Sequence, residues 1–175
     1  MSFLRAVLTD EQANSYWEHV YLLPGEDLYD PEKFGRLKAI FEELLRERGD
    51  ANLDLIHFDN PQLLDFLMYD HILNIVEKLI GPDFGLFSSH FISKEPGVGK
   101  ATPWHEDFGY WHRRFESFPA IVTIWLAIDP STRANGCMRP LCQNSCHLFL
   151  KNLYGLFLWR YGWMHKELYG EAIFG

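Results

Sequence analysis

At Pro82 the spacing of apolar residues changes, and that switch limits the folds open to this chain more than any other feature. Before it, the pattern is helical. Thr9 followed by Gln12 forms a capping-box pair, opening a segment in which Ala13, Tyr16, Trp17 and Val20 recur at helical spacing until Leu22-Leu23-Pro24-Gly25 breaks it. Asp30 and Pro31 make an N-cap and first helical residue, and Phe34, Leu37, Phe41, Leu44 and Leu45 give one apolar stripe that ends at Gly49. A third helical stretch starts at Asn60-Pro61 and runs, with a break near Asp70, through Ile72, Leu73, Val76, Leu79 and Ile80 to Gly81-Pro82. These stripes are the width of core-facing surfaces.

After Pro82 the composition suits strands. Phe84 to Ser93 is rich in aromatic and β-branched residues, and Pro119 to Ile128 reads as a second strand through Ala120-Ile121-Val122-Thr123-Ile124-Trp125-Leu126-Ala127. Pro96-Gly97-Val98-Gly99 is a loop, and Asn135-Gly136 is a two-residue hairpin signal ahead of another short strand. Helices first and antiparallel strands second predict an α+β arrangement in which the helices buttress a sheet. A length of 175 residues with 47% apolar content supports one core, and so one domain over 1–175.

Between the two strand regions lies Trp104-His105-Glu106-Asp107-Phe108-Gly109-Tyr110-Trp111. On an extended backbone, side chains at i and i+2 leave the same face, so His105 and Asp107 converge while Glu106 turns away. An imidazole and a carboxylate so placed are two members of the 2-His-1-carboxylate triad that leaves open positions on Fe(II). Away from such a context, a His-x-Asp pair is ordinarily a surface or hydrogen-bonded pair.

The formal net charge of -8 argues against affinity for phosphate backbones, so nucleic acid is not an expected partner. No stretch reaches the roughly 18 uncharged apolar residues of a membrane span, and the apolar run from Leu153 to Trp163 is interrupted by Arg160. Met1-Ser2-Phe3-Leu4-Arg5 lacks the apolar segment of a signal peptide, and three cysteines between 137 and 146 do not form a secreted disulfide framework. A cytoplasmic protein is the expectation.

The order of motifs resembles the phytanoyl-CoA dioxygenase family, to which ectoine hydroxylases belong. The resemblance is carried by Phe91-Ile92-Ser93-Lys94-Glu95-Pro96-Gly97, the motif around His105, Trp125-Leu126-Ala127-Ile128-Asp129, and Asn135-Gly136-Cys137-Met138-Arg139, and covers roughly residues 1 to 140. It implies a double-stranded β-helix of jelly-roll type, here incomplete, and hydroxylation of a small-molecule substrate with Fe(II), O2 and 2-oxoglutarate. It divides the chain into a helical part over 1–82, jelly-roll strands with the His-x-Asp motif over 83–140, and a divergent or truncated tail over 141–175. His105 and Asp107 match the family's first two iron ligands, and Trp125 and His90 match positions near the cosubstrate.

The chain departs from that pattern at Pro140. Where the family continues into a proline-glycine-serine-histidine turn, this sequence reads Pro140-Leu141-Cys142-Gln143-Asn144-Ser145-Cys146-His147. From residue 141 onward it holds two acidic residues, Glu167 and Glu171, and eight aromatics in 35 positions. His165 is the best-placed candidate for the third iron ligand, but Lys166 follows it where the family carries an arginine farther on, and an ammonium does not match a carboxylate bidentately. Two other readings therefore stand beside the dioxygenase: a catalytically inactive, truncated or frame-shifted fragment of one, and a zinc-binding module built on Cys137, Cys142, Cys146 and His147, whose intervals match no common ligand pairing.

Overall fold

The computed structural model describes residues 8–19, 21–24, 27–49, 53–99, 102–103, 105, 114 and 120–138, and the backbone of 156–160. Local signals set its helices. Helix α1, Asp10–His19, opens on the reciprocal cap predicted from Thr9 and Gln12: the Gln12 amide donates to Thr9 Oγ1 at 3.1 Å and the Thr9 amide donates to Gln12 Oε1 at 2.9 Å. Helix α2, Pro31–Arg48, is capped by Asp30, whose carboxylate accepts from the Lys33 amide at 2.8 Å, and it stops where Gly49 takes φ 67°. The third helical region divides as the sequence indicates. A 3-10 turn at Pro61–Leu63 runs into the single turn α3, Leu64–Leu67, and after Met68 and Tyr69 the chain restarts as α4, Asp70–Ile80.

One face of each helix is buried in a common core. Tyr16 from α1, Leu37, Phe41 and Leu44 from α2, Phe66 from α3, and Ile75 and Leu79 from α4 meet there. Burial of side chains of this size contributes about 1.5–3 kcal/mol each in transfer terms. Surface ion pairs bind elements at the rim: Lys78 of α4 to Asp10 of α1, Arg48 of α2 to Asp59 at 2.9 Å, and Lys38 of α2 to Asp129 at 2.7 Å. These pairs are exposed, so they add little beyond the packing.

The sheet has three antiparallel strands in the order β1-β3-β2, with β1 Tyr21–Leu22, β2 Val122–Leu126 and β3 Leu156–Arg160. In the register, Tyr21 faces Trp159 and Val122 faces Arg160. Strand β2 falls inside the predicted Pro119 to Ile128 strand. The central strand comes from the segment 141–175 and pairs on one side with Tyr21 and Leu22, at the start of the segment Leu22-Leu23-Pro24-Gly25 that the sequence reads as a helix breaker. Helices backing an antiparallel sheet make the described part α+β.

Two expectations are corrected. Among the described residues, Phe84 to Ser93 forms no regular strand and makes one isolated bridge, His90 to Asp54. Pairing cannot spread there because Leu55 turns into the left-handed region at φ 53° and the next residues coil into a 3-10 turn, Ile56–Phe58. Asn135-Gly136 does not turn a two-residue hairpin. Asn135 ends a 3-10 turn, Arg133–Asn135, and its side chain reaches back, accepting from the Thr132 amide at 2.7 Å and donating to the Pro130 carbonyl at 2.5 Å. Gly136 supplies the positive φ, 83°, that leads out of the turn.

Candidate functional site

Side-chain alternation divides the sheet into two faces. On β2, Val122, Ile124 and Leu126 pack against the helical core, so Thr123 and Trp125 project from the opposite face. Trp125 is half-buried there and stands opposite Phe157 in the register. The same logic applies upstream, where Phe91 joins the core cluster and stacks on Phe41 at 5.2 Å. His90, one residue earlier on extended backbone, points the other way and is exposed. Each of the two residues matched to cosubstrate positions thus alternates with a neighbour that packs on the helical core.

His105 follows Thr102 and Pro103 and is exposed. Its Nδ1 lies 2.8 Å from the Pro103 carbonyl oxygen. A carbonyl can only accept, so Nδ1 carries the hydrogen and the lone pair of the neutral ring sits on Nε2. Metal-bound histidines are commonly oriented in this way, one ring nitrogen donating to a backbone carbonyl while the other binds the ion. The donor chemistry of His105 therefore fits a ferrous site with Nε2 as the ligating atom. Nearby, Lys94 Nζ donates to Thr102 Oγ1 at 2.6 Å, linking the loop that precedes the motif to the residues that enter it.

Asp107 and His165, the other two expected ligands, lie outside the described residues. Among the described residues no group of three or more His, Cys, Asp or Glu is gathered as a metal site. Of the proposed zinc constellation, Cys137 is described, as a half-buried free thiol, and Cys142, Cys146 and His147 lie outside the described residues. Among the described residues, no helix is long and apolar enough to cross a membrane.

The family model described as Phytanoyl-CoA dioxygenase (PhyH) matches residues 23–142. The chain belongs to the phytanoyl-CoA dioxygenase family. It is 37% identical over 86 residues to the Probable phytanoyl-CoA dioxygenase of Caenorhabditis elegans, which covers 46% of this chain and 27% of that protein. It is 31% identical over 83 residues to Phytanoyl-CoA dioxygenase, peroxisomal, of Homo sapiens, covering 46% of this chain and 24% of that one. The chain thus spans about a quarter of the length of these two curated relatives. A solved structure of CytC3 with Fe(II) and alpha-ketoglutarate superposes with a TM-score of 0.62 at 19% identity, covering 91% of this chain and 69% of that chain. At that identity the likeness concerns the fold.

His57 is a feature that spacing did not reveal. It is buried, and its Nδ1 shares a hydrogen bond with Ser89 Oγ at 2.5 Å. In the sequence it stands without a partner pattern, because Ser89 is 32 residues away. The available signal was local: Ser89 and Phe91 flank His90 at the spacing that puts both on one face of an extended segment.

Proposed function

We propose that this chain carries the iron- and cosubstrate-binding part of an Fe(II)- and 2-oxoglutarate-dependent dioxygenase that hydroxylates a small molecule. The observation that supports the reading is the His105 to Pro103 hydrogen bond, which leaves the ring's lone pair on Nε2, within a chain of the phytanoyl-CoA dioxygenase family. His105 and Asp107 would hold the metal, with His165 as the third ligand, and Trp125 and His90 would line the cosubstrate side. Bound iron, with O2 and 2-oxoglutarate, supplies the oxidising power for C–H hydroxylation. The chain's own part is to orient those side chains, to wall the site with Trp125 and to set the helical core behind it. The surrounding architecture in this reading is a jelly roll, for which the likeness to CytC3 is the support. The setting proposed is a reducing compartment, the cytoplasm, on the grounds of the cysteine usage.

Decarboxylation of 2-oxoglutarate in the presence of Fe(II) and ascorbate tests the reading, with His105→Ala as the control. Turnover by the wild-type chain that disappears in the variant supports it. A second reading, an inactive fragment, is favoured by the change of pattern at Pro140. Folded protein that neither binds Fe(II) nor decarboxylates 2-oxoglutarate would establish that reading instead.

A further inference from the structure

The turn from Leu53 to His57 meets residues 89–91 in an unusually complete way. The Leu55 amide donates to the Ser89 carbonyl at 2.8 Å, and the Phe91 amide donates to the Leu53 carbonyl at 3.0 Å. These bonds flank the Asp54 to His90 bridge, so that pair occupies the non-hydrogen-bonded position of an antiparallel ladder, where opposed side chains share a face at their closest spacing. Directly afterwards Leu55 adopts φ 53°, ψ 27°, the one positive φ of a non-glycine residue among those described. A leucine is seldom held in that conformation unless its surroundings over-determine it. Here the turn it makes carries the buried His57 beneath Ser89, where the 2.5 Å hydrogen bond forms.

Residues 89 to 91 are therefore fixed at three points. Ser89 is hydrogen-bonded inward to His57, Phe91 stacks inward on Phe41 of α2, and the backbone on both sides of His90 is hydrogen-bonded to the turn. With both neighbours anchored inward, His90 has one direction left, outward onto the face it shares with Asp54 and away from the core. We infer that His57 and Ser89 are positioning residues, whose buried hydrogen bond holds His90 in place to donate to a carboxylate of the cosubstrate. The inference rests on the dioxygenase reading, which supplies His90 with its ligand. It adds two residues that touch neither metal nor cosubstrate and act through the backbone between them.

The test is calorimetric titration of 2-oxoglutarate into the Fe(II)-loaded chain without O2, with Fe(II) affinity and the thermal midpoint measured alongside. His90→Ala and Ser89→Ala are each expected to weaken 2-oxoglutarate binding at least fivefold while Fe(II) affinity stays within twofold. Ser89→Thr, which keeps the hydroxyl, restores binding to within twofold, and the Ser89→Ala/His90→Ala double variant binds no more weakly than His90→Ala alone. A merely structural role for Ser89 would lower the thermal midpoint and leave the ratio of the two affinities unchanged. Should Ser89→Ala not fold, His57→Leu, which cannot bond Ser89, and Ser89→Thr make the same comparison, and wild-type 2-oxoglutarate binding by His57→Leu overturns the inference. Wild-type binding by Ser89→Ala with weakened binding by His90→Ala overturns the positioning role alone. Wild-type binding by His90→Ala overturns it too, while the dioxygenase reading stands. An Fe(II)-loaded wild-type chain that takes up no 2-oxoglutarate overturns both.

Discussion

Nδ1 of His105 donates to the carbonyl of Pro103, two residues back, and so decides which nitrogen of the ring can meet a metal. The consequence can be tested with two amides of different reach. In glutamine the terminal amide lies near the position of Nε2, and in asparagine near that of Nδ1. His105→Gln is expected to keep part of the Fe(II) affinity, whereas His105→Asn loses more than about 100-fold, beyond the 10–100-fold typical when only an outer partner of a ligand is removed. Fe(II) titration followed by calorimetry measures both, and equal losses would argue against Nε2 as the ligating atom.

Removal of the α2 cap should be costly for so small a change. Asp30→Ala leaves the Lys33 amide without its acceptor and is expected to lower stability by about 1 kcal/mol, within the range for N-cap replacements. Urea denaturation of the two proteins gives the difference. Asp30→Asn, which keeps an acceptor oxygen, should recover most of it.

Stability should fall at alkaline pH through Tyr29. Burial, with the neighbouring Tyr69 second, raises its phenol well above the ordinary tyrosine value, and the hydroxyl donates to the Phe66 carbonyl at 2.9 Å. A pKa raised by folding means that the folded state holds the proton longer than the unfolded chain does. The stabilisation is complete below the unfolded pKa of about 10 and is lost progressively as the pH rises above it. Thermal midpoints measured across that range should drop for the wild type and drop less for Tyr29→Phe. At neutral pH that variant should be destabilised by about 1 kcal/mol for the lost hydrogen bond.

The contact between Phe41 and Phe91 carries the loop before the motif onto α2. Phe41→Ala is expected to cost about 3–5 kcal/mol, as for other buried phenylalanines. A double-mutant cycle with Phe91→Ala should return a coupling of about 0.5–1.5 kcal/mol, the range for packed aromatic pairs. Chemical denaturation of the four proteins completes the cycle, and additive losses would show that the rings do not support one another.

Helix ends were legible in the sequence because their determinants are local. Thr9 with Gln12 and Asp30 with Pro31 mark α1 and α2 from a few residues each, and the structure places the caps where those residues stand. Strand pairing was not legible in the same way. Phe84 to Ser93 has strand composition, but a ladder needs a partner, and the left-handed turn at Leu55 ends the one segment paired with it among the described residues. Asn135-Gly136 carries a hairpin dipeptide, yet Thr132 captures the asparagine side chain and tightens the backbone into a 3-10 turn. In the proposed site, the His-x-Asp spacing singles out His105 because the two proposed ligands lie two residues apart in the sequence. His57 escaped notice because its meaning depends on Ser89, which only the folded turn brings near.

The sheet order also bears on how the protein is made. Residue 21 emerges from the ribosome long before residue 159, the position opposite it, and β1 and β2 meet only through the strand between them. At elongation rates of about 5–20 residues per second, the N-terminal edge waits on the order of ten seconds for that strand. The helices, closed by nearby contacts, can form meanwhile. The nascent chain thus carries two unsatisfied strand edges until β3 has been made, an interval in which a chaperone that shields β edges would raise the yield of native protein.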